Sequence, residues 1–540
     1  MTRLGTVWRT VRHLRTAQTL GRLRFKLQRP VPDLRPAPPL RPRAGVWVHP
    51  AMRQASLLTS TRLRVLNREY DLEDCGWDDP AVDKLARYNF HYFDDLNARE
   101  AAARSNAQRD LIERWIQDNP PARGSGWEPY PLSLRVVNWI KWLMGGQVAE
   151  TRWLQSLAVQ ARWLTGRLER HLLGNHLFVN AKALIFAGLF FQDAEAESWL
   201  RCGTDILCRE LSEQVLSDGG QFERSPMYHA LACEDVLDLL NIVVAQAPSR
   251  RLTDLLAGPA ARMLYWLRCM THPDGTMGHF NDSAAGIAPE PAELERYAAE
   301  LGVVASYPPT EALTHLAASG YLRAARGAAV ALLDIGPIGP DYLPAHAHAD
   351  TLSFELSLGA RPVIVNGGTS CYGISAQRQR ERGTAAHSTV QIGNADSSEV
   401  WAGFRVGRRA HPMELVVDEW DVGCSHDGYR YLPGRPTHRR SWHFGDSELR
   451  VEDTVQPPSP VAVARYILAP DLRLHQDSST AWRVLRGDAP VAAVEVMVGR
   501  ASASQSQHAP QFGVLMPADC LAVELVQGRA QTRWRWECDC

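Results

Sequence analysis

Apolar residues recur at helical spacing from about Tyr88 to Leu322, in segments such as LSLRVVNWIKWLM, WLQSLAVQARWLTGRL, LFVNAKALIFAGLFF, VLDLLNIVV and ARMLYWLRCM. The breaks between them are short and hold Gly, Pro, Asp and Asn, which predicts successive helices joined by tight loops. Near Gly327 the period changes. AVALLDIG, LSFELSLG, RPVIVNGG, STVQIG, AHPMELVVDEW and VAAVEVMVG are short, rich in β-branched residues and bounded by turn formers, so they read as strands. A run of helices followed by a run of strands predicts a multidomain α+β chain with segregated layers, not an alternating parallel sheet. The strand region is expected to form a mainly antiparallel sandwich, and no fixed-period repeat is visible.

Ahead of the helices, RPVPDLRPAPPLRPRAGVWVHP cannot hold a helix and reads as an extended linker ending at Pro50, with folded structure beginning just after it. From Met1 to Pro30, arginines alternate with single apolar residues and no uninterrupted apolar core of a secretory signal is present. Thr10 to Lys26 predicts a basic amphipathic helix, either packed on or trailing from the main domain, or making peripheral contact with an anionic membrane. The expected division is therefore 1–50 for helix and linker, 51–322 for the helical domain and 323–540 for the sandwich.

The 540 residues exceed what one growing core accommodates, consistent with two or three domains. With 45% hydrophobic and 22% charged residues, the composition is that of an ordinary globular protein. No apolar run is long enough for an integral membrane segment. The charge balance of 59 basic against 60 acidic residues gives no global field for nucleic acid, so attraction for an acidic substrate must be local. Most of the 17 Trp are expected in the core. The ten Cys, including the tail Cys538-Asp539-Cys540, follow no disulfide or zinc-ribbon spacing. Reduced, buried cysteines are expected, which leans towards the cytoplasm with the periplasm as the alternative.

Four blocks concentrate titratable side chains in apolar surroundings. Gly174-Asn175-His176 opens a helix, where Asn or His could also serve as a cap. DGGQFERSPMYH, from Asp218 to His229, contains Pro226 at the predicted first turn of a helix, so Tyr228 and His229 would sit at a helix mouth facing a cleft, with Glu223 just upstream. In Pro344 to Asp350, His346 and His348 are spaced to share one face of a strand, which suits one acid/base imidazole and one metal ligand. Ala385 to Val390 brings His387 to the start of a strand, and SSEVWAGFRVGRRA then supplies Arg405, Arg408 and Arg409, which could hold substrate carboxylates or sulfates or form a solvated face.

The order GNH, ERSPMYH, HAHADTLSF, AAHSTV resembles the heparinase II/III family of polysaccharide lyases, and RHLRTAQTLGRLRFKLQRP and GWEPYPLSLRVVNWI are similar to bacterial relatives. The resemblance runs from about Thr10 to beyond Arg440. It implies an incomplete α/α toroid joined to an antiparallel β-sandwich, and an acidic polysaccharide as substrate. It also implies that Asn175 and His176 neutralise a uronate carboxylate, that Tyr228 and His346 are the acid/base pair, and that His348, His387 and the residue at 366 hold a structural zinc ion. Asn366 stands where an aspartate is expected, and a neutral amide oxygen is the poorer zinc ligand. No other cofactor is expected.

The chemistry suits these residue types. β-Elimination removes the C5 proton of a uronic acid and protonates the departing O4. Abstraction adds charge beside an anionic carboxylate, so hydrogen bonds to that group stabilise the enolate-like transition state. Either Tyr228 or His346 could take the proton. A uronyl C5-epimerase would share the first step. A hydrolase would need two carboxylic acids, for which Glu223, Asp218 and Asp282 are available. A glycan-binding protein of polysaccharide assembly would need no chemistry at all.

Overall fold

The computed structural model describes residues 3–247, 250–459 and 461–537. The helical half holds Pro129–Met144, Thr151–Thr165, Gly174–Phe190, Ala194–Gln214, Pro226–Gln246, Arg250–Cys269 and Pro291–Glu300. Gly174–Phe190 packs on Ala194–Gln214, and Pro226–Gln246 on Arg250–Cys269. Gly174–Phe190 is buried on nearly every side, as an all-round apolar helix must be. Large aromatics fill the space between helices, with Trp115, Trp139 and Trp153 fully buried.

Apart from the hairpin of Arg62–Val65 and Arg68–Asp71, strands begin at Ala312, earlier than the Gly327 period change and inside the stretch whose spacing suggested helices up to Leu322. Ala312–Leu316 and Tyr321–Arg326 are too short for a period of two to be told from one of 3.6. They open a five-stranded antiparallel sheet that ends at Arg361–Ile364. An eight-stranded and a four-stranded antiparallel sheet, with the short pair Val400–Trp401 and Arg405–Val406, complete the β half. Thr437–Phe444 alternates between core and half-exposed positions, as a strand with one face on a core should. The sheets share one apolar core that includes Phe354, Trp442, Tyr466 and Trp534. The fold is the helical toroid followed by an antiparallel sandwich that the family resemblance implied.

The first fifty residues differ from a helix and a free linker. The basic segment forms two helices, Arg3–Val11 and Thr16–Leu27, separated by a break at residues 12–15. Arg9 pairs with Glu399 of the β half at 2.7 Å, and Arg15 pairs with Glu213 of the helical half. The proline-rich stretch is extended but not free. Arg41 N donates to Phe190 O at 2.9 Å, and Gly45 N donates to Ala245 O at 2.9 Å. A Cβ on Gly45 would run into the Val244 carbonyl, so the strap lies flat against the toroid. Prolines lack the N–H groups that would otherwise need partners there.

Among the described residues, Cys233, Cys269, Cys424 and Cys520 are buried free thiols, and Cys75, Cys202, Cys208 and Cys371 are partly buried ones. The Cys538 and Cys540 pair lies outside the described residues. Among those described, no helix is long and apolar enough to cross a membrane.

Candidate active site

Asn175, His176 and Tyr228 from the helical half, and His346, Tyr372 and Phe404 from the β half, line one cleft of about 720 Å³. The GNH block reaches it through its glycine. Gly174 has φ +55°, and a Cβ there would strike Leu343 and Glu223, so only glycine lets the helix start so close to the other half. Neither Asn175 nor His176 caps the helix, whose N-cap is Leu173. The Asn175 backbone N–H approaches Glu223 Oε1 at 3.4 Å. His176 Nδ1 lies 3.2 Å from Glu169 Oε1. Shielding from water disfavours its charged form, but the Glu169 carboxylate outweighs that and leaves the His176 pKa raised.

Tyr228 is placed by the start of its helix. Ser225 is the N-cap and accepts from Tyr228 N at 3.2 Å, while Pro226 occupies the first turn. The Tyr228 ring stacks on the His346 imidazole with centroids 3.8 Å apart. Its hydroxyl lies 3.0 Å from that of Tyr372. Burial and the neighbouring Tyr372 push the Tyr228 phenol well above its usual pKa, so it is a neutral O–H.

His346 and His348 are not on a strand. They lie in the loop between Ala329–Asp334 and Phe354–Leu358, where Pro337, Pro340 and Pro344 withhold N–H groups that a ladder would need. Buried polar side chains shape that loop. Ala347 O accepts from Arg382, Ala349 O from Thr384, and Leu352 O from Arg440 at 3.0 Å. Both histidines point to Asp282. His346 Nδ1 lies 3.0 Å from Asp282 Oδ2 and His348 Nε2 lies 2.9 Å from Oδ1. A carboxylate only accepts, so His346 donates to it from Nδ1. Nε2 is 3.5 Å from Glu223 Oε2. Arg378 grips Asp282 with both terminal nitrogens. Burial opposes ionisation of Asp282, but Arg378 and the two histidines hold its pKa well below the usual range.

His348, Asn366 and His387 also come together. His387 Nδ1 lies 2.6 Å from Asn366 Oδ1, and the two imidazole rings are 5.3 Å apart. With Asp282 occupying His348 Nε2, His348 Nδ1 and His387 Nε2 are the atoms of these three side chains that remain buried without a partner. That leaves two imidazole nitrogens, an amide oxygen already in a hydrogen bond and no anionic ligand. Among the described residues, no group of three or more His, Cys, Asp or Glu side chains could hold a metal ion. The donor set does not fit a zinc ion.

Three expected substrate contacts lie elsewhere. His229 is buried beside Trp266, with Nε2 bonded to Met263 O at 2.9 Å and Nδ1 accepting from Gln221 N. Burial lowers its pKa to about 4. Arg405 lies over Trp401, and Arg408 over Tyr431 beside Glu399, none of them lining the cleft. Glu223, in contrast, is in the cleft. No Trp lines it; its aromatic surface comes from residues such as Tyr88, Tyr92, Tyr130, Tyr372, Phe404 and Phe512.

Comparison with known proteins agrees with this architecture. A Bacteroides stercoris protein described as heparin-sulfate lyase is 25% identical over 304 residues, covering 52% of this chain and 43% of its own length. The chain thus spans less than half of that relative. A heparinase III crystal structure superposes with TM-score 0.64 at 18% identity, covering 82% of this chain and 75% of that one. The chondroitin AC lyase of Streptomyces coelicolor A3 gives TM-score 0.51 at 12% identity, over 89% and 77% of the two chains. The heparinase II/III N-terminal family model matches residues 107–299 and the heparinase II/III-like C-terminal model residues 308–537, and the chain belongs to the heparinase II/III family.

Proposed function

We propose that the protein is a polysaccharide lyase, cleaving a uronic-acid-containing polysaccharide by β-elimination. The observation that carries this reading is the Tyr228–His346 stack at 3.8 Å in a cleft that also exposes Asn175 and His176. His346 Nε2, with the ring oriented by the Nδ1 bond to Asp282, takes the C5 proton. The electron pair of that C–H bond becomes the C4–C5 double bond, and the C4–O4 bond breaks. The neutral Tyr228 hydroxyl protonates the leaving O4. Asn175 and protonated His176 hold the uronate carboxylate as charge builds on it. The opposite stereochemistry at C5 would exchange the roles of Tyr228 and His346.

The carboxylates favour this over hydrolysis. Asp282 is consumed by Arg378, His346 and His348, and Asp218 is turned to Ser319 at 2.7 Å. Of the three acids that the sequence offered, only Glu223 lines the cleft.

The cleft's ion pairs bear on the substrate. Its lining cations are all paired: Arg53 with Glu234, Arg64 with Glu69, Lys84 with Glu128, Lys141 with Asp238 and Lys182 with Asp235. Arg53, Lys141 and Lys182 are committed to buried carboxylates and offer little to a sulfate, whereas aromatic rings suit uncharged sugar faces. The preferred glycan is therefore sparsely sulfated. Proton NMR of digests of sulfated and unsulfated uronate glycans tests this. The vinylic H4 of an unsaturated uronate should appear, and faster with the unsulfated chains. Deuterium at C5 of unbroken chains would instead reveal an epimerase, and glycan binding without either signal would reveal a binding protein.

A further inference from the structure

We propose that the two N-terminal helices form a docking surface for an anionic lipid bilayer. Each helix has one face fastened to the protein and the other bare. On Arg3–Val11, Thr6 Oγ1 donates to Glu399 Oε1 at 2.8 Å, Arg9 Nε donates to Glu399 Oε2 at 2.8 Å, and Trp401 Nε1 donates to Thr10 Oγ1 at 3.1 Å. On Thr16–Leu27, Gln18 Nε2 donates to Tyr342 O at 3.2 Å, and the Phe25 ring packs on His171. Arg167 Nη1 donates to Phe25 O at 2.7 Å.

The outward faces carry large apolar side chains at helical spacing. Leu4 is 82% exposed and Trp8 65%, with Val7 and Val11 beside them. On the second helix Leu20, Leu23 and Leu27 are 63%, 58% and 72% exposed. Two such stripes on consecutive helices are not the scattered apolar residues of an ordinary surface.

Charge chooses the occupant. No Asp or Glu precedes Asp33. Arg12, Arg22, Arg24 and Lys26 are exposed around the stripes and form no ion pair with a carboxylate among the described residues. An apolar stripe rimmed by cations matches the hydrocarbon boundary and headgroups of an anionic membrane, with Trp8 at the interface. A symmetric dimer through this face would bring these cations against their own copies. Because the fastened faces touch both halves of the protein, docking would orient the whole molecule and not a loose tail.

The test is sedimentation of the full-length protein with vesicles of phosphatidylcholine alone or mixed with phosphatidylglycerol. Wild type should partition at least about tenfold more strongly to the anionic vesicles, weakening as salt rises. The double variant Trp8→Glu, Leu23→Glu should lose that binding, with the unfolding midpoint and the activity on soluble glycan unchanged. Arg12→Gln, Arg22→Gln and Arg24→Gln should each weaken anionic binding by about fivefold without changing neutral-vesicle binding. Wild type that stays in the supernatant with anionic vesicles overturns the proposal. So does a double variant that binds as tightly as wild type, or a wild-type dimer that the double variant dissociates.

Discussion

The hydroxyls of Tyr228 and Tyr372 meet at 3.0 Å, and burial keeps both phenols neutral. Tyr372 therefore holds the Tyr228 oxygen in place. Tyr372→Phe should lower kcat by about three- to tenfold, the order of one net hydrogen bond, with KM unchanged. A loss matching that of Tyr228→Phe would make Tyr372 the acid. His176 gives a pH signature. Its pKa is raised, so the charged form is present below that pKa and is lost as pH rises through it. KM should rise with pH on the alkaline side, and His176→Gln should remove the rise; an unchanged rise would assign the titration to another group. The sequence motifs led to Asn175, His176, Tyr228, His346 and Glu223, all of them in the cleft. They misled at His229 because adjacent helical residues face different ways: Tyr228 takes the cleft and His229 the core. Asp282, Tyr372 and Arg378 carried no local signal for their roles, because each acts through a partner distant in sequence.

At the scale of elements, the loop bearing His346 is held by charges inside the sandwich. Arg440, fully buried, pairs with Asp453 at 2.8 and 2.9 Å and donates to both Leu352 O and Ser388 O. Arg440→Met would leave the Asp453 carboxylate buried with only His438 beside it. Such breakage costs about 3–5 kcal/mol, to be read from chemical denaturation; a cost under about 1 kcal/mol, the size of a surface pair, would show that the loop is held by other contacts. The long helices and most strands were legible from their periods because those elements bury one face or all faces of a regular pattern. The HxH segment was misread as a strand. Its spacing allows one, but Arg382, Thr384 and Arg440, which bend it, are supplied by remote parts of the chain.

At the scale of the molecule, the two N-terminal helices and the junction near His348 both join the halves, while the strap lies on the toroid alone. The strap was invisible to periodicity because its contacts are backbone hydrogen bonds to distant helices. At the junction, Asn366 replaces charge with an amide, so dialysis against a chelator should leave the unfolding midpoint unchanged, whereas Asn366→Asp should make it zinc-dependent. A wild-type midpoint that falls with chelator would mean that a metal is held there after all. The central claim is elimination through the Tyr228–His346 pair. Its most direct test is the ultraviolet absorbance of the unsaturated 4,5-bond, followed with wild type and Tyr228→Phe on one unsulfated uronate glycan. The account predicts a steady rise with wild type and a rate about 10²- to 10⁴-fold lower with the variant; equal rates in the two proteins would contradict it.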